Sequence, residues 1–177
     1  AQPAEIKPGD NLVVQGLPAI PAALAEQVGR YTEFRSAAFQ SWHPQRREML
    51  ITTRFTDTPQ VHQVRLRGGD RRQLTFFPDR VTDASFQPTR GDYFLLARDR
   101  GGDEFTQLYR YDLASGETTL LSDGGRSQNG LGRWATAGDR IAYGSTRRNG
   151  EDRHVYVMNP ADPASNRLLV QVEGGGW

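Results

Sequence analysis

Residues 134–159 read WATAGDRIAYGSTRRNGEDRHVYVMN, and this stretch decides the fold. It begins with Trp134, passes through a polar turn, and continues as an apolar segment, residues 141–147, that closes on arginine. The dipeptide Asn149-Gly150 marks a chain reversal, and an alternating segment, residues 154–158, follows it. Short apolar runs separated by Asn-Gly turns are typical of antiparallel strands joined by hairpins. The stretch therefore predicts consecutive strands of one antiparallel sheet.

The same order of features occurs twice upstream at nearly constant spacing. Residues 41–44 (SWHP) are echoed 44 residues later by residues 85–88 (SFQP). Two positions recur in all three units: an aromatic residue at the start and an apolar residue in the third strand. They are Trp42, Phe86 and Trp134 for the aromatic position, and Val61, Leu108 and Val155, spaced by 47 residues, for the apolar one.

Three units of four short strands, at a period of about 44–48 residues, predict a β-propeller. The expected fold class is all-β, with a partial propeller over residues 36–177 and blades at about 36–78, 81–123 and 130–171. Each four-stranded blade has two faces to cover, and stacking blades around an axis covers both. We therefore expect the six recurring side chains to form the core between blades.

Residues 1–35 precede the repeats and form an N-terminal leader of different composition. The apolar run at residues 12–14 is compatible with one short, isolated strand. Pro21 suits the first position of a helix and Gly29 suits its end, so we expect a helix over residues 22–28.

The number of blades is smaller than a closed propeller needs, which is roughly four to eight. Trp177 lies 43 residues after Trp134, so it reads as the start of a fourth blade. Three blades leave strand edges and apolar faces uncovered, and such surfaces invite association. We expect the chain to be part of a longer propeller whose remaining blades cover them, with self-association through the exposed blade edges as the alternative.

The charge balance limits the partners to be expected. The chain has 177 residues with 22 basic and 21 acidic side chains, and its net charge is +1. All basic residues but one are arginine, and the two signs are interspersed along the sequence. Nucleic-acid binding domains concentrate basic residues, so nucleic acid is not an expected partner. No run approaches the roughly 20 apolar residues that cross a bilayer, so no membrane span is expected.

The beginning of the chain bears on its location. It starts Ala1-Gln2-Pro3-Ala4, without an initiator methionine, as mature chains do after cleavage behind a small-residue signal site. We therefore expect a periplasmic or secreted protein. Because the chain has no cysteine, disulfides cannot indicate the compartment.

Residues 101–105 read GGDEF, the signature of diguanylate cyclases, whose acidic residues bind metal and whose glycines approach the nucleotide. In that family the motif lies in an α/β domain, whereas this chain has almost no predicted helix. The equivalent hairpin of the next unit, residues 148–152, reads RNGED. We interpret both segments as turns rich in Gly and Asp, and a nucleotide-signalling enzyme is the most distant hypothesis.

The sequence predicts no catalytic residue, no metal site and no cofactor. It contains no Gly-x-Ser-x-Gly nucleophile elbow. His43, His62 and His154 show neither triad nor metal-ligand spacing, so we interpret them as packing, turn or surface residues. The acidic pairs at residues 103–104 and 151–152 lie on hairpin tips, where solvation is expected and calcium binding is the alternative.

The repeat unit resembles the propeller repeats of translocation protein TolB and of the N-terminal domains of prolyl oligopeptidase-family serine peptidases. Those repeats have an aromatic-Ser-Pro-Asp-Gly turn, an apolar strand ending in Ser/Thr-Arg, and an Ile-Tyr-Val-Met strand. Residues 134–159 match this pattern well, and the first two units keep Pro44 and Pro88. The segments that further resemble bacterial exported peptidases of this family are PAIP at 18–21, YTEFR at 31–35, QLTFFP at 73–78 and EGGGW at 173–177.

The resemblance implies a propeller that precedes an α/β-hydrolase domain with a Ser-Asp-His triad and that filters or orients peptide substrates. No triad position falls within this chain, so no catalytic residue is assigned, and the substrate-binding residues stay unknown. The expected function is that of a non-catalytic propeller portion of an exported serine peptidase, acting for a hydrolase domain absent from this chain. A TolB-like periplasmic propeller that binds other proteins is the alternative.

Overall fold

A computed structural model describes residues 4–55 and 57–174. The contacts within it divide the chain into two units, one ending at Ser36 and the other beginning at Ala37. Trp177, the predicted start of a fourth blade, lies outside the described residues. Within the described part, no helix has the length and apolar character needed to cross a membrane.

The first unit contains the helix α1 (Ala22–Thr32), whose N-cap is Pro21 in extended backbone. The predicted end of this helix at Gly29 is wrong, because α1 continues to Thr32. The backbone N–H of Glu33 donates to the carbonyl of Gly29 at 2.8 Å, which places the glycine inside the last turn. A glycine within a helix costs only about 1 kcal/mol relative to alanine, so it does not oblige the helix to stop.

The predicted isolated strand at residues 12–14 is also wrong. These residues are exposed and lie outside regular structure. Residues 4–36 instead contain an antiparallel bridge between Glu5 and Pro21, next to which the N–H of Ile6 donates to the carbonyl of Ile20 at 2.9 Å. A strand needs a partner for its backbone groups, and the short apolar run at 12–14 does not find one.

The second unit contains three four-stranded antiparallel sheets, each with its strands in chain order. The first blade consists of β1 (Ala37–Trp42), β2 (Met49–Thr53), β3 (Gln60–Val64) and β4 (Arg71–Gln73). The second consists of β5 (Val81–Phe86), β6 (Tyr93–Arg98), β7 (Gln107–Asp112) and β8 (Thr118–Leu120). The third consists of β9 (Arg133–Trp134), β10 (Ile141–Ser145), β11 (His154–Asn159) and β12 (Asp162–Val170). This arrangement confirms the predicted all-β, partial-propeller fold class.

The blades pack face to face through two apolar clusters. The cluster between blades 1 and 2 includes Leu50 and Val61 from the first blade and Phe86 and Phe94 from the second. The neighbour of Phe94 in β6, Leu95, belongs to the other cluster. Successive side chains of a strand point to opposite faces, so the apolar run of β6 serves both interfaces. The cluster between blades 2 and 3 also contains Leu108, Leu121, Ile141, Tyr143, Tyr156 and Met158.

The six side chains expected between blades have different environments. Val61, Phe86 and Leu108 are buried within the two clusters. Trp134 is partly buried against the cluster between blades 2 and 3. Val155 is half-buried, since it points away from the residues of β11 that face blade 2.

Trp42 departs from the expectation, because its side chain is 62% exposed. Its nearest aromatic neighbour is Phe39, with ring centroids 5.6 Å apart. The reason is positional: Phe86 and Trp134 each pack against the preceding blade, and Trp134 also donates from Nε1 to Oγ of Ser85 at 3.2 Å. Trp42 lies in the first blade, so within the described residues no preceding blade covers it.

Candidate functional site: a cleft between the first two blades

One end of the first blade concentrates arginine side chains. Antiparallel pairing brings the β1–β2 and β3–β4 hairpins to the same end of the sheet. We call it the arginine end. The arginines of these hairpins and of β4 are Arg46, Arg47, Arg65, Arg67, Arg71 and Arg72, and the carboxylates there are Glu48 and Asp70.

A cleft of about 490 Å³ opens at the arginine end between blades 1 and 2, and we call it the inter-blade cleft. The wall from blade 1 consists of Arg46, Gln63, Arg65, Arg72 and Leu74. The wall from blade 2 consists of Gly91, Asp92, Tyr111, Asp112, Leu113 and Ala114. One wall is thus rich in cations, and the other combines carboxylates with aromatic and apolar surface.

The pairing of the strands shows that the side chains of the blade 1 wall point toward blade 2. Gln63 pairs with Leu50 on β2 and with Arg72 on β4. Directly opposed residues of an antiparallel sheet point to the same face, and Leu50 lies in the core that faces blade 2. Gln63 and Arg72 therefore point the same way, and Leu74, two residues further along, joins them.

A chain of polar contacts holds two of the three arginines of this wall, Arg46 and Arg65. Nε of Arg46 lies 3.1 Å from Oε2 of Glu48. Nε2 of Gln63 donates to the same carboxylate oxygen at 2.7 Å, and Nε of Arg65 donates to Oε1 of Gln63 at 3.3 Å. The side chain of Glu48 is only 15% exposed, so this carboxylate is already engaged within the wall.

The opposite wall has a fixed aromatic surface. The ring of Tyr111 stacks on the ring of Phe94, with centroids 4.8 Å apart and planes 23° from parallel. The N–H of Leu113 donates to the carbonyl of Asp92 at 3.1 Å, which ties the two hairpins of blade 2 together. A ligand in the cleft therefore meets a preorganised apolar surface on this side.

Asp112 follows Tyr111 in this wall, and its carboxylate, which points toward blade 3, is bound by its own turn. It accepts the backbone N–H groups of Ala114 and Ser115 at 3.0 and 3.1 Å, and it pairs with Arg110 at 3.4 Å. The backbone hydrogen bond from Ser115 contributes most to holding the pKa of Asp112 below its usual range. Asp112 therefore stays ionised at neutral pH with its charge shared among local partners.

The charges of the two walls do not cancel. Asp92 pairs with Arg90 at 2.7 Å, so both carboxylates of the blade 2 wall have an arginine from their own blade. Arg65 and Arg72 have no ion pair with any residue within 4–55 and 57–174. The cleft therefore offers two guanidinium groups to an incoming anion.

His43 supports the turn that carries Arg46. Its Nδ1 accepts the backbone N–H groups of Gln45 and Arg46, each at 3.1 Å, and its ring meets that of Phe86 edge-on at 4.9 Å. Burial lowers the pKa of His43, and the positive charge of Arg46 lowers the pKa further. The neutral ring that these hydrogen bonds require is therefore the form present at neutral pH.

The GGDEF segment lies on the β6–β7 hairpin, where Gly101, Gly102 and Glu104 have φ of 63°, 73° and 64°. Oδ1 of Asp103 accepts the N–H of Phe105 at 3.0 Å, so this carboxylate closes the turn. Among the described residues, no three His, Cys, Asp or Glu side chains are grouped so that they could hold a metal ion.

The other two histidines are buried. Nδ1 of His154 accepts the N–H of Val172 at 3.1 Å. Nδ1 of His62 lies 3.0 Å from the carbonyl oxygen of Gln60, and burial lowers the pKa of His62. Neither histidine lies in the inter-blade cleft.

Reading the sequence did not single out the residues of the inter-blade cleft. The available signal was the density of arginine at residues 46–47 and 65–72, against interspersed charge elsewhere. Because about twenty residues separate these segments in the chain, they become one surface only when the two hairpins meet at the same end of a sheet.

No protein-family model and no curated protein matches this chain. Solved structures do resemble it, among them the three that follow. TolB from Acinetobacter baumannii is 25% identical with a TM-score of 0.58, over 76% of this chain and 32% of that protein. A TolB-like protein from Agrobacterium tumefaciens is 20% identical with a TM-score of 0.57, over 73% of this chain and 44% of the other. A structure from a study of two prolyl endopeptidases is 16% identical with a TM-score of 0.59, over 76% of this chain and 21% of the other.

The chain spans less than half the length of each of these proteins. All three TM-scores exceed 0.5, and the two groups of proteins agree on the same architecture. The comparisons thus support a propeller of the kind found in TolB-like proteins and prolyl endopeptidases.

Proposed function

We propose that this chain is a non-catalytic propeller portion of an exported serine peptidase of the prolyl oligopeptidase type. Its role is to admit and orient peptide substrates for a hydrolase domain that lies outside this chain. The observation that carries the proposal is the inter-blade cleft, which opens between two well-packed blades and has polar and aromatic walls.

The dimensions and chemistry of the cleft suit a peptide. Its volume of about 490 Å³ falls within the range of roughly 300–1,000 Å³ usual for ligand pockets. Arg65 and Tyr111 represent the two residue types most enriched at binding surfaces for polypeptides, arginine and aromatics. A peptide has both hydrogen-bonding backbone and apolar side chains, so it can use both walls at once.

A TolB-like protein-binding propeller is the second candidate. It is supported by the two TolB-like structures, of which the Acinetobacter protein has the highest identity of the three neighbours, at 25%. In this case the cleft binds a segment of a folded partner protein, and no hydrolase domain is involved.

Peptide binding is tested by titrating the purified chain into a set of fluorescently labelled, extended peptides and following anisotropy. We expect binding accompanied by slower hydrogen exchange at residues 43–48, 63–72 and 111–114. Failure of every peptide to bind at about 1 mM, which corresponds to about −4 kcal/mol, would overturn the proposal. Protection confined to blade 3 would also contradict it.

The coding sequence downstream of residue 177 separates the two candidates. A Gly-x-Ser-x-Gly segment after the propeller supports the peptidase, because that elbow holds the nucleophile of an α/β-hydrolase domain. A stop codon after a few further blades supports the TolB-like module. For the peptidase, the longer protein is expected to cleave peptide reporters, and a serine-directed inhibitor is expected to abolish cleavage, whereas this chain alone is expected not to cleave them.

Export to the periplasm or outside the cell is part of the same proposal, since it places the propeller where peptides are taken up and degraded. Fractionation of the native cells, followed by N-terminal sequencing, tests it. Recovery of the protein only from the cytoplasm would contradict it.

A further inference from the structure

The excess of arginines over carboxylates at the arginine end of blade 1 has no counterpart in the equivalent hairpins of blade 2. The two hairpins of this blade at that end, residues 43–48 and 65–70, contain four arginines and two carboxylates. The equivalent hairpins of blade 2, residues 87–92 and 113–117, contain one arginine and two carboxylates. Since the blades otherwise share one architecture, the surplus is a local property and is not required by the fold.

Two arginines of blade 1 that line the cleft, Arg65 of this hairpin and Arg72 of β4, have no acidic partner among the described residues. Arg65 donates to Gln63, which is anchored by Glu48, and Arg72 lies directly across the strand pair from Gln63. Both side chains therefore project from the same face of the sheet as Gln63, and neither forms an ion pair with a described residue. Guanidinium groups bind carboxylates through two parallel hydrogen bonds, and such charge-assisted bonds are about twice as strong as neutral ones.

We propose that the inter-blade cleft selects an acidic peptide segment, in which an Asp or Glu carboxylate binds Arg65 and Arg72. A neighbouring apolar side chain of the same peptide packs between Leu74 of the blade 1 wall and Tyr111 of the blade 2 wall. This inference rests on the proposed function, because it assigns a ligand chemistry to the same cleft.

The negative charge on the blade 2 wall favours a peptide ligand over a nucleic acid. The carboxylate of Asp92 lines the cleft opposite the arginines, whereas Asp112 is paired with Tyr93 and its side chain points toward blade 3. A polyanion carries charge along its whole length, so it would be repelled by this wall. A peptide with one or two carboxylates can place them against the arginines and offer backbone N–H groups to the opposite side.

The test compares two labelled peptides that differ only by Glu→Gln at two adjacent positions, titrated against the whole chain. We expect the acidic peptide to bind roughly ten-fold more tightly, the factor that corresponds to about 1.4 kcal/mol. The preference should weaken as salt is raised, because exposed charges are screened. The double variant Arg65→Gln/Arg72→Gln should abolish the preference, and Arg140→Gln, at the same end of blade 3, should leave it intact.

The outcomes separate the inference from the function on which it rests. Equal binding of both peptides, unchanged in the double variant, overturns the acidic preference and leaves peptide binding in place. Binding of neither peptide overturns both. Tighter binding of a single-stranded oligonucleotide than of the acidic peptide overturns the inference in favour of a nucleic acid. Because Arg65 and Arg72 are exposed, the double variant is expected to keep the wild-type melting temperature. If it does not fold, the variant Arg65→Lys/Arg72→Lys takes its place in the test, since lysine keeps the charge but cannot form the bidentate hydrogen bonds.

Discussion

Gly91 of the second blade lies directly against the ring of His43 in the first, so closely that a Cβ atom at Gly91 would lie 2.5 Å from Nε2 of His43. The next pair of blades repeats the relationship, since a Cβ at Gly138 would lie 2.9 Å from Nε2 of Gln87. Gln87 performs the same turn-closing role as His43, with its Oε1 accepting the N–H groups of Arg90 and Gly91. Both glycines have φ of +71°.

Gly91→Ala should therefore destabilise the chain more than the backbone conformation alone explains. The left-handed backbone costs a non-glycine residue about 1–2 kcal/mol, and displacing the His43 ring adds about 1–3 kcal/mol of overpacking. Gly68→Ala is the matched control, because Gly68 has φ of +67° and nothing within 4 Å of its would-be Cβ. Urea unfolding measures both variants. Equal losses of unfolding free energy would show that the contact with His43 carries no cost.

His43→Gln should be tolerated, whereas His43→Ala should not. A glutamine can accept the turn N–H groups as Gln87 does in blade 2. Alanine leaves the N–H groups of Gln45 and Arg46 without their acceptor, and a buried group left unsatisfied costs about 1–3 kcal/mol. Thermal unfolding of the two variants checks this. A larger loss for glutamine than for alanine would contradict the assigned role of the ring.

Acidification below pH 6.5 should weaken the fold. Burial lowers the pKa of both His43 and His62 in the folded chain below the ordinary histidine value of about 6.5. The unfolded chain therefore binds more protons in the window below pH 6.5, so the free energy of unfolding falls as the pH falls through that window. The double variant His43→Gln/His62→Gln should show a shallower decline in a series of urea titrations between pH 7 and pH 5. An unchanged slope would mean that other groups cause it.

Gln107→Ala should lower the free energy of unfolding more than an ordinary polar substitution does. The side chain of Gln107 donates to the carbonyls of Gly125 and Ser127, each at 3.0 Å, and accepts from Ser122 and Gly124 in the connection to the third blade. We expect a loss of about 2–4 kcal/mol, since several buried partners lose their bonds together.

The control for this variant is Gln45→Ala, which removes one exposed hydrogen bond to the carbonyl of Thr89. A loss below about 1 kcal/mol is expected there. If both variants unfolded at the same urea concentration, the side chain of Gln107 would not hold the connection between the blades.

Phe86→Ala should lower the free energy of unfolding more than Trp42→Ala does, although the two residues occupy equivalent positions of the repeat. Phe86 is 2% exposed within the core between blades 1 and 2, and its truncation should cost about 3–5 kcal/mol. Trp42 is 62% exposed, so its truncation should stay within about 1 kcal/mol. Unfolding of this chain alone measures both. A large loss for Trp42→Ala would indicate that another copy of the chain covers its face in solution, and sedimentation of the wild type would then show an oligomer.

Much of the secondary structure follows from local sequence. The apolar segment predicted at residues 141–147 forms β10 (Ile141–Ser145), because an apolar run between turn residues has few alternatives. Strand β12 (Asp162–Val170) includes Pro163, although proline cannot donate a backbone hydrogen bond. It tolerates the proline because it is the outer strand of its sheet.

The sequence by itself determined the repeat, the four-stranded units and the all-β class, because these depend on periodicity and turn chemistry between near neighbours in the chain. It also contains a regularity that only the structure explains. Gln60, Gln107 and His154 are spaced by 47 residues, and each binds the backbone that leaves the fourth strand of its blade.

Only the tertiary structure decided which equivalent residues are buried and where charge accumulates. Trp42 is exposed and Phe86 is buried because burial depends on the neighbouring blade, about which the local sequence carries no information. The cleft likewise exists only where the hairpins of two blades meet, so Arg65 and Arg72 come to face Tyr111 through packing between blades whose residues are distant in the chain.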